Sequence, residues 1–336
     1  MLALRSARTS QRAVPWGPSI YVSESHNPWF NLAYEDWLFR KTEPDQRILY
    51  LYRNSPSVII GRNQNPWKEI DLHRLRELGI PFVRRKSGGG TVYHDLGNTN
   101  YCVFVPREEF DRRSNAELVT AGLNELDVPA FVNERHDIVV DGFKMSFRYL
   151  PDVLDFHVSG SAFKLVNKRA YHHGTMLIDA QLGTLRGVLG SKKEAMVTKG
   201  VASVPSPVRN LREWSTRVNH ERFVEVVARQ FAEKYALSGE IKRIDEGVLE
   251  QNEYVREVVD ELKTLSVNSK HGLITSASLS DPPRPLDWWR TASELCRLLE
   301  GDRYETLERT REALLRLKGE DRERMETFVE WLRREM

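Results

Sequence analysis

Residues Arg84-Arg-Lys-Ser-Gly-Gly-Gly-Thr-Val-Tyr-His-Asp-Leu-Gly-Asn-Thr-Asn100 decide how this chain is read. Three cations in a row are followed, one serine later, by three glycines in a row. Glycine lets a backbone approach a ligand closely and adopt positive φ, and the N–H groups of such a turn form a concavity for anions. The stretch therefore suits a carboxylate or a phosphate, with a hairpin turn bearing a charged rim as the plainer alternative. It is neither of the common nucleotide loops. No Gly-Lys-Ser/Thr ending closes it as a P-loop, and the glycines are contiguous where a dinucleotide fingerprint needs them spaced.

Working outward, short runs of strand formers surround the loop: Ile48–Arg53, Ser57–Gly61, Pro81–Arg85, Thr91–His94 and Asn100–Val105. Upstream, Asn27-Pro28 supplies a cap and a first-turn proline. Phe30, Ala33, Tyr34, Trp37 and Leu38 then follow at helical spacing and predict an amphipathic helix. Asp71–Leu78 reads as a helix stopped by Gly79, and further helices are expected around Val119, Leu123 and Leu126, around Phe223 to Phe231, and around Val255 to Leu262. Asp141-Gly142, flanked by Ile138-Val-Val and Phe143, predicts a tight β-hairpin. Strands mixed with helices, without regular βαβ alternation, place the chain in the α+β class.

Arg-Arg-x-Ser-Gly-Gly-Gly-x-Val-x-His-Asp-x-Gly-Asn resembles the signature of lipoate–protein ligases and lipoyltransferases. The resemblance continues through Asn54–Trp67, Asp137-Ile-Val-Val, Val158-Ser-Gly-Ser-Ala-Phe, His172-His-Gly-Thr-Met-Leu177, Lys199-Gly-Val-Ala-Ser-Val and Val208-Arg-Asn-Leu211, covering roughly residues 20 to 236. It implies a biotin/lipoyl synthetase-like catalytic domain, a mixed β-sheet flanked by helices. The activity implied is attachment of a lipoyl or octanoyl group to a lysine through an acyl-adenylate. The resemblance also implies the site residues. Arg84, Gly88, Gly89, Gly90, Thr91, Val92, His94, Gly160, Ser161, Ala162 and His173 would bind substrate and nucleotide, and Lys144 would be catalytic, touching both acyl carbonyl and phosphate. Substrates would be lipoate or lipoyl-AMP, with ATP and Mg²⁺ if the enzyme is a ligase. Partners would be the lipoyl domains of 2-oxoacid dehydrogenase E2 subunits and the glycine cleavage H protein.

Such chemistry needs donors for a developing anion more than it needs a nucleophile, so Arg84, Arg85 and the glycine backbone can suffice. No Ser-His-Asp or Cys-His pattern stands out. His172 and His173 are adjacent on a strand run, point to opposite faces and cannot share a metal ion, so one is expected to line a pocket while the other packs or is exposed, and no tightly bound metal is expected. His94 and Asp95 suggest acid–base work, but orienting the glycine loop is the role their context favours. Arg62, Asn63 and Gln64 fit a pocket mouth or plain surface, and Asn98 and Asn100 suit buried backbone contacts.

The 336 residues suggest two domains, expected as a catalytic domain at 20–240 and a reduced accessory domain at 241–336. A net charge of +2 gives no argument for nucleic acid, and no apolar run is long enough to span a membrane. Cys102 and Cys296 are too far apart for a metal-ligand spacing and are expected as reduced thiols. Residues 1–19 carry Arg5, Arg8 and Arg12 with hydroxyl residues and no acid, the composition of a mitochondrial targeting peptide, and suggest a mitochondrial, fungal-type member.

Two features depart from the family pattern. Met145–His157 intervenes where relatives run from the catalytic lysine almost directly into the Val158 segment, either extending a hairpin or marking a retained intron, and is expected to be dispensable. Thr264–Lys270 lacks the Trp-rich stretch and strand pair of relatives, so the accessory domain should be poorly packed. The competing readings are a catalytically impaired lipoyl-domain binding protein and a biotin–protein ligase.

Overall fold

The computed structural model of the protein describes residues 19–140, 156–189, 201–203, 207–237, 240–263, 266–270, 273–278 and 310. The first half carries strands β1 (Ser19–Ser23), β2 (Ile48–Tyr52), β3 (Ser57–Ile60), β4 (Phe82–Arg84), β5 (Val92–His94) and β6 (Asn98–Pro106). Its helices are α1 (Pro28–Lys41), α2 (Pro66–Glu69), α3 (Leu72–Glu77) and α4 (Arg112–Glu125). There follow β7 (Ala130–Val132), β8 (Ile138–Val140), β9 (Phe156–His157), β10 (Ser161–Val166), β11 (Arg169–Leu177), α5 (Leu182–Val188) and α6 (His220–Lys234). The described chain continues through β12 (Lys242–Ile244), α7 (Val248–Gln251), α8 (Glu253–Lys263), β13 (Ser266–Lys270) and β14 (Leu273–Ser278).

A six-stranded mixed sheet in the order β10-β11-β6-β2-β1-β12 forms the centre. The two-residue period of its strands divides the core. Leu49 and Leu51 of β2, with Val103 and Val105 of β6, pack against α4 and α6 through Leu118, Val119, Leu123, Phe223, Val227 and Phe231. Ile48, Tyr50 and Tyr52, with Cys102 and Phe104, pack on the opposite face against α1 and α8 through Phe30, Ala33, Tyr34, Leu38, Val255 and Val258. Each fully buried aliphatic or aromatic side chain contributes roughly 1.5–3 kcal/mol. The polar edges of α1, α4 and α6 are capped as their sequences dictate: Asn27 accepts from Trp29 N and Phe30 N, Asp111 from Arg113 N and Ser114 N, and Asn219 from Arg222 N.

A smaller sheet, β4-β3-β5, stands beside the large one and carries the glycine loop between β4 and β5. Val58 and Ile60 of β3 pack with Ile70, Leu75 and Val188, whereas Ile59 turns the other way, toward Leu32 of α1. Asp71 caps α3 and Gly79, at φ +64°, ends its turn, as the sequence predicts.

Two expectations change here, and one falls outside what is described. The tight hairpin expected at Asp141-Gly142 lies outside the described residues, and Val140 of β8 pairs with Phe156 of β9. Of the insert Met145–His157 the described residues are Phe156 and His157, which form β9, and the His157 N–H donates to Pro207 O. A domain boundary at 240 would cut through the catalytic layer, since β12 runs parallel to β1 and α8 packs on α1. Part of the segment read as having lost its strands is β13, which pairs antiparallel with β14.

Candidate active site

Arg85 is 5% exposed and shapes the glycine loop from inside. Its Nη2 donates to Gly88 O at 2.6 Å and Gly90 O at 2.7 Å, its Nη1 to Ile59 O at 3.1 Å, and its Nε to Ser87 Oγ and Gly88 O at 3.0 Å. Burial alone pushes its guanidinium down to about 10, still cationic at neutral pH. Gly89 answers this geometry with φ +87°, a conformation other residues reach only at a cost. Arg84 is used next door. Its Nη1 donates to the carbonyls of Arg62 and Gln64 at 3.1 and 2.8 Å, tying down the turn after β3.

The loop opens on a cavity of about 380 Å³. Leu32, Ile59 and Val92 give it apolar walls, while Gly90, Thr91, Gly160, Ser161 and Ser203 supply polar groups. A short strap, residues 201–203, closes one side: Ser203 Oγ accepts from Thr91 N at 2.9 Å and from Gln64 Nε2 at 2.9 Å, and it donates to Glu69. Gln64 Oε1 in turn accepts from Gly61 N at 2.8 Å and from Thr91 Oγ1 at 2.9 Å. Opposite the strap, Thr175 Oγ1 accepts from Gly160 N at 2.9 Å and holds the turn into β10.

At the cavity wall a carboxylate, an imidazole and a hydroxyl are joined. His173 Nδ1 lies 3.0 and 3.1 Å from the two carboxylate oxygens of Glu35, and its Nε2 is 2.9 Å from Ser87 Oγ. Tyr52 donates to Glu35 Oε2 at 3.2 Å. Glu35, Cys102 and His173 also place donor atoms within 4.8 Å of one another, a grouping able to hold a metal ion. Burial raises the Cys102 thiol well above its ordinary value, and the charge and hydrogen bond of Glu35 raise it further.

Burial pushes His94 and His172 down to about 3 and His220 to about 4. Neighbouring charge adds to the depression of each, from Arg85 and His173 at His94, from His173 at His172 and from Arg53 at His220. All three are neutral in the folded protein at pH 7 and titrate near 6.5 when unfolded. The unfolded state therefore binds more protons below that value, and stability, complete above about pH 6.5, falls as pH drops toward 4. Each group contributes roughly 1 kcal/mol per pH unit in that window. Thermal melts across a pH series should show a steep fall below about pH 6, and His220→Gln should make it shallower.

Of the residues expected at the site, Gly90, Thr91, Val92, His94, Gly160, Ser161, Ala162 and His173 line the cavity. Arg84, Gly88 and Gly89 do not; they build the loop, and Arg85, expected as an anion donor, has its guanidinium committed to loop carbonyls. Lys144 lies outside the described residues. His172 packs edge-on against Tyr101 on the far face of β11, as strand alternation requires. Gln64, read as mouth or surface, is buried in the strap network.

The sequence reading passed over Glu35, Asn31, Asn54, Ser87 and Glu69. The sequence carried no signal for Asn31 and Glu35: polar residues four apart beside an apolar stripe read as an ordinary solvated helix edge, and only the fold buries them.

A loop-and-cavity site beside a mixed sheet flanked by helices defines a biotin/lipoyl synthetase-like catalytic domain. Residues 27–232 match the family model described as the Lipoyl protein ligase A/B catalytic domain, and the chain belongs to that family. Among solved structures, it is similar to the bipartite lipoate protein ligase of Thermoplasma acidophilum, which was analysed with its E2 lipoyl domain. The identity is 27%, the alignment covers 73% of this chain and 92% of that one, and the TM-score is 0.59. A lipoate-protein ligase A bound with ATP gives 25% identity, coverage of 73% and 95%, and a TM-score of 0.57. The fold is shared as well with P. falciparum LipL1 in complex with lipoate, at 24% identity, coverage of 95% and 100%, and a TM-score of 0.59.

Proposed function

We propose that the protein attaches a lipoyl or octanoyl group to a specific lysine of lipoyl domains by way of an acyl-adenylate. The observation that carries this reading is the single cavity in which the glycine-loop backbone and the Ser203 strap meet apolar walls made by Leu32, Ile59 and Val92. An acyl chain suits the apolar walls, and the charged anhydride suits the loop. A carboxylate is a poor electrophile toward an amine. Its attack on the α-phosphorus of ATP releases pyrophosphate and leaves a mixed anhydride, from which the lysine amine then displaces AMP. Charge grows on phosphate oxygens in the first step and on the carbonyl oxygen and the departing phosphate in the second, and fixed backbone dipoles around the cavity stabilise it.

Family membership supports lipoate, or lipoyl-AMP in a transferase, as substrate, with ATP and Mg²⁺ in a ligase. E2 lipoyl domains and the H protein are the proposed acceptors. The acid-free, arginine-bearing residues 1–19 support delivery to mitochondria, which import of a fluorescent fusion would test.

The direct test is mass spectrometry of an acceptor lipoyl domain after incubation with lipoate, ATP and Mg²⁺. A lipoyl mass increment on one lysine is the expected result. An increment seen only with preformed lipoyl-AMP would make the protein a transferase, and none with either donor would remove the activity. In the same assay Lys144→Ala should slow acylation by about 100- to 1000-fold, the usual loss when one charge-stabilising donor is removed. Near-normal turnover would move the role to another amine. Lys164, 3.5 Å from Asp36 Oδ1 and above the Phe39 ring, is the next to test.

A further inference from the structure

His94 lines the cavity and is 3% exposed. Its Nδ1 is 2.9 Å from Asn54 Nδ2, while its Nε2 has no hydrogen-bond partner among the described residues. A buried imidazole nitrogen without a partner is costly unless a ligand supplies one. What that nitrogen can offer depends on which ring nitrogen holds the proton.

The surrounding amides settle that question. Asn31 Nδ2 lies 2.9 Å from Ser25 O and 3.0 Å from Arg53 O, two backbone carbonyls that only accept, so the nitrogen of Asn31 must face them. The same nitrogen lies 2.8 Å from Asn54 Oδ1, a third acceptor that its two hydrogens reach by sharing, and an amide nitrogen of Asn54 in that place would set two NH₂ groups against each other; Tyr50 donates to Asn31 Oδ1 at 2.9 Å. With its oxygen turned to Asn31, Asn54 presents its NH₂ to His94 Nδ1. That nitrogen must accept, and the ring proton goes to Nε2.

We propose that Tyr50, Asn31 and Asn54 are positioning residues that hold His94 as the neutral Nε2–H tautomer, giving the cavity one fixed N–H donor for an oxygen or sulfur acceptor of the bound acyl compound. The identity of that compound rests on the function proposed above; the tautomer does not. Burial keeps the ring uncharged, and Arg85 and His173, the charged or titratable groups facing it, with Glu35 behind His173, add to that effect. The donor is therefore constant across the physiological pH range.

Asn54→Asp is the discriminating variant. It keeps an acceptor for Asn31 but turns a second acceptor toward Nδ1, so the neutral ring must carry its proton there and show an acceptor to the cavity. Only the doubly protonated ring regains an Nε2–H. Lipoate binding, measured calorimetrically, should be independent of this group in the parent between about pH 6 and about pH 9. In Asn54→Asp it should fall about 10- to 100-fold at the alkaline end and recover as pH is lowered. A merely structural change would weaken binding equally at both ends.

Nitrogen-15 spectra of the ligand-free parent test the tautomer without any variant: protonated Nε2 and bare Nδ1 are expected, and the reverse tautomer or an imidazolium at neutral pH would overturn the proposal. So would an Asn54→Asp protein that binds lipoate like the parent throughout. Should that variant not fold, Asn54→Ser, whose short hydroxyl leaves Nδ1 undirected, should give mixed tautomers and about tenfold weaker binding; a parent-like spectrum and affinity would count against the relay. A parent that binds no lipoate, yet shows the expected tautomer, would fail the functional reading and leave the relay standing.

Discussion

Gly89→Val should remove binding of lipoyl-adenylate while leaving a folded protein of lowered stability. The backbone at Gly89 has φ +87°, and an added Cβ would stand 2.8 Å from Arg85 Nη2 and 3.0 Å from Ala162 Cβ. A β-branched residue held there costs about 1–3 kcal/mol in backbone strain and about as much again in overpacking. A domain whose total stability is about 5–15 kcal/mol survives that where it is otherwise sound. The loop does not, because its cheapest relief is to swing Arg85 or the 160–162 turn, and either movement distorts the cavity wall. Calorimetric titration with lipoyl-adenylate beside a thermal melt separates the two effects. Equal binding by variant and parent would show that the loop does not form the ligand's seat.

Arg85→Met should do comparable damage by another route, and the contrast with its neighbour is the informative part. The substitution removes the donors that hold Gly88 O, Gly90 O, Ile59 O and Ser87 Oγ. Buried acceptors left without a donor cost about 1–3 kcal/mol each unless they find water, so a loss of at least about 3 kcal/mol is expected, with acyl transfer abolished. Lys86→Met, one residue on, breaks an ion pair with the exposed Glu261, and pairs of that kind are worth about 0–1 kcal/mol. Melting curves and acceptor mass spectrometry on both variants should therefore diverge sharply. Similar behaviour of the two would mean that Arg85 is not the internal staple of the loop.

The Arg84–Asn100 stretch also shows where reading the sequence succeeds. A run of glycines beside cations announces a backbone that must turn tightly, and the loop is there, between β4 and β5. What the run does not say is whether the cations face the ligand or the loop itself. That depends on which carbonyls lie within reach of each guanidinium, and the carbonyl of Ile59, which Arg85 uses, comes from a different strand.

The sequence by itself determined the elements whose cause is local. α1 follows from the Asn27 cap, Pro28 and the spacing of Phe30, Ala33, Tyr34 and Leu38, and the two faces of β2 follow from the two-residue period of Ile48–Tyr52. His172 and His173 were bound to part company for the same reason. Tertiary structure alone decided the pairings between distant segments: Glu35 with His173, Asn54 with His94, Ser203 with Thr91, β12 with β1 and β8 with β9. Periodicity says which face a side chain takes, but a hydrogen bond is a property of two atoms. When 112 residues separate them, as they do Thr91 and Ser203, only the folded chain brings the second atom to the first.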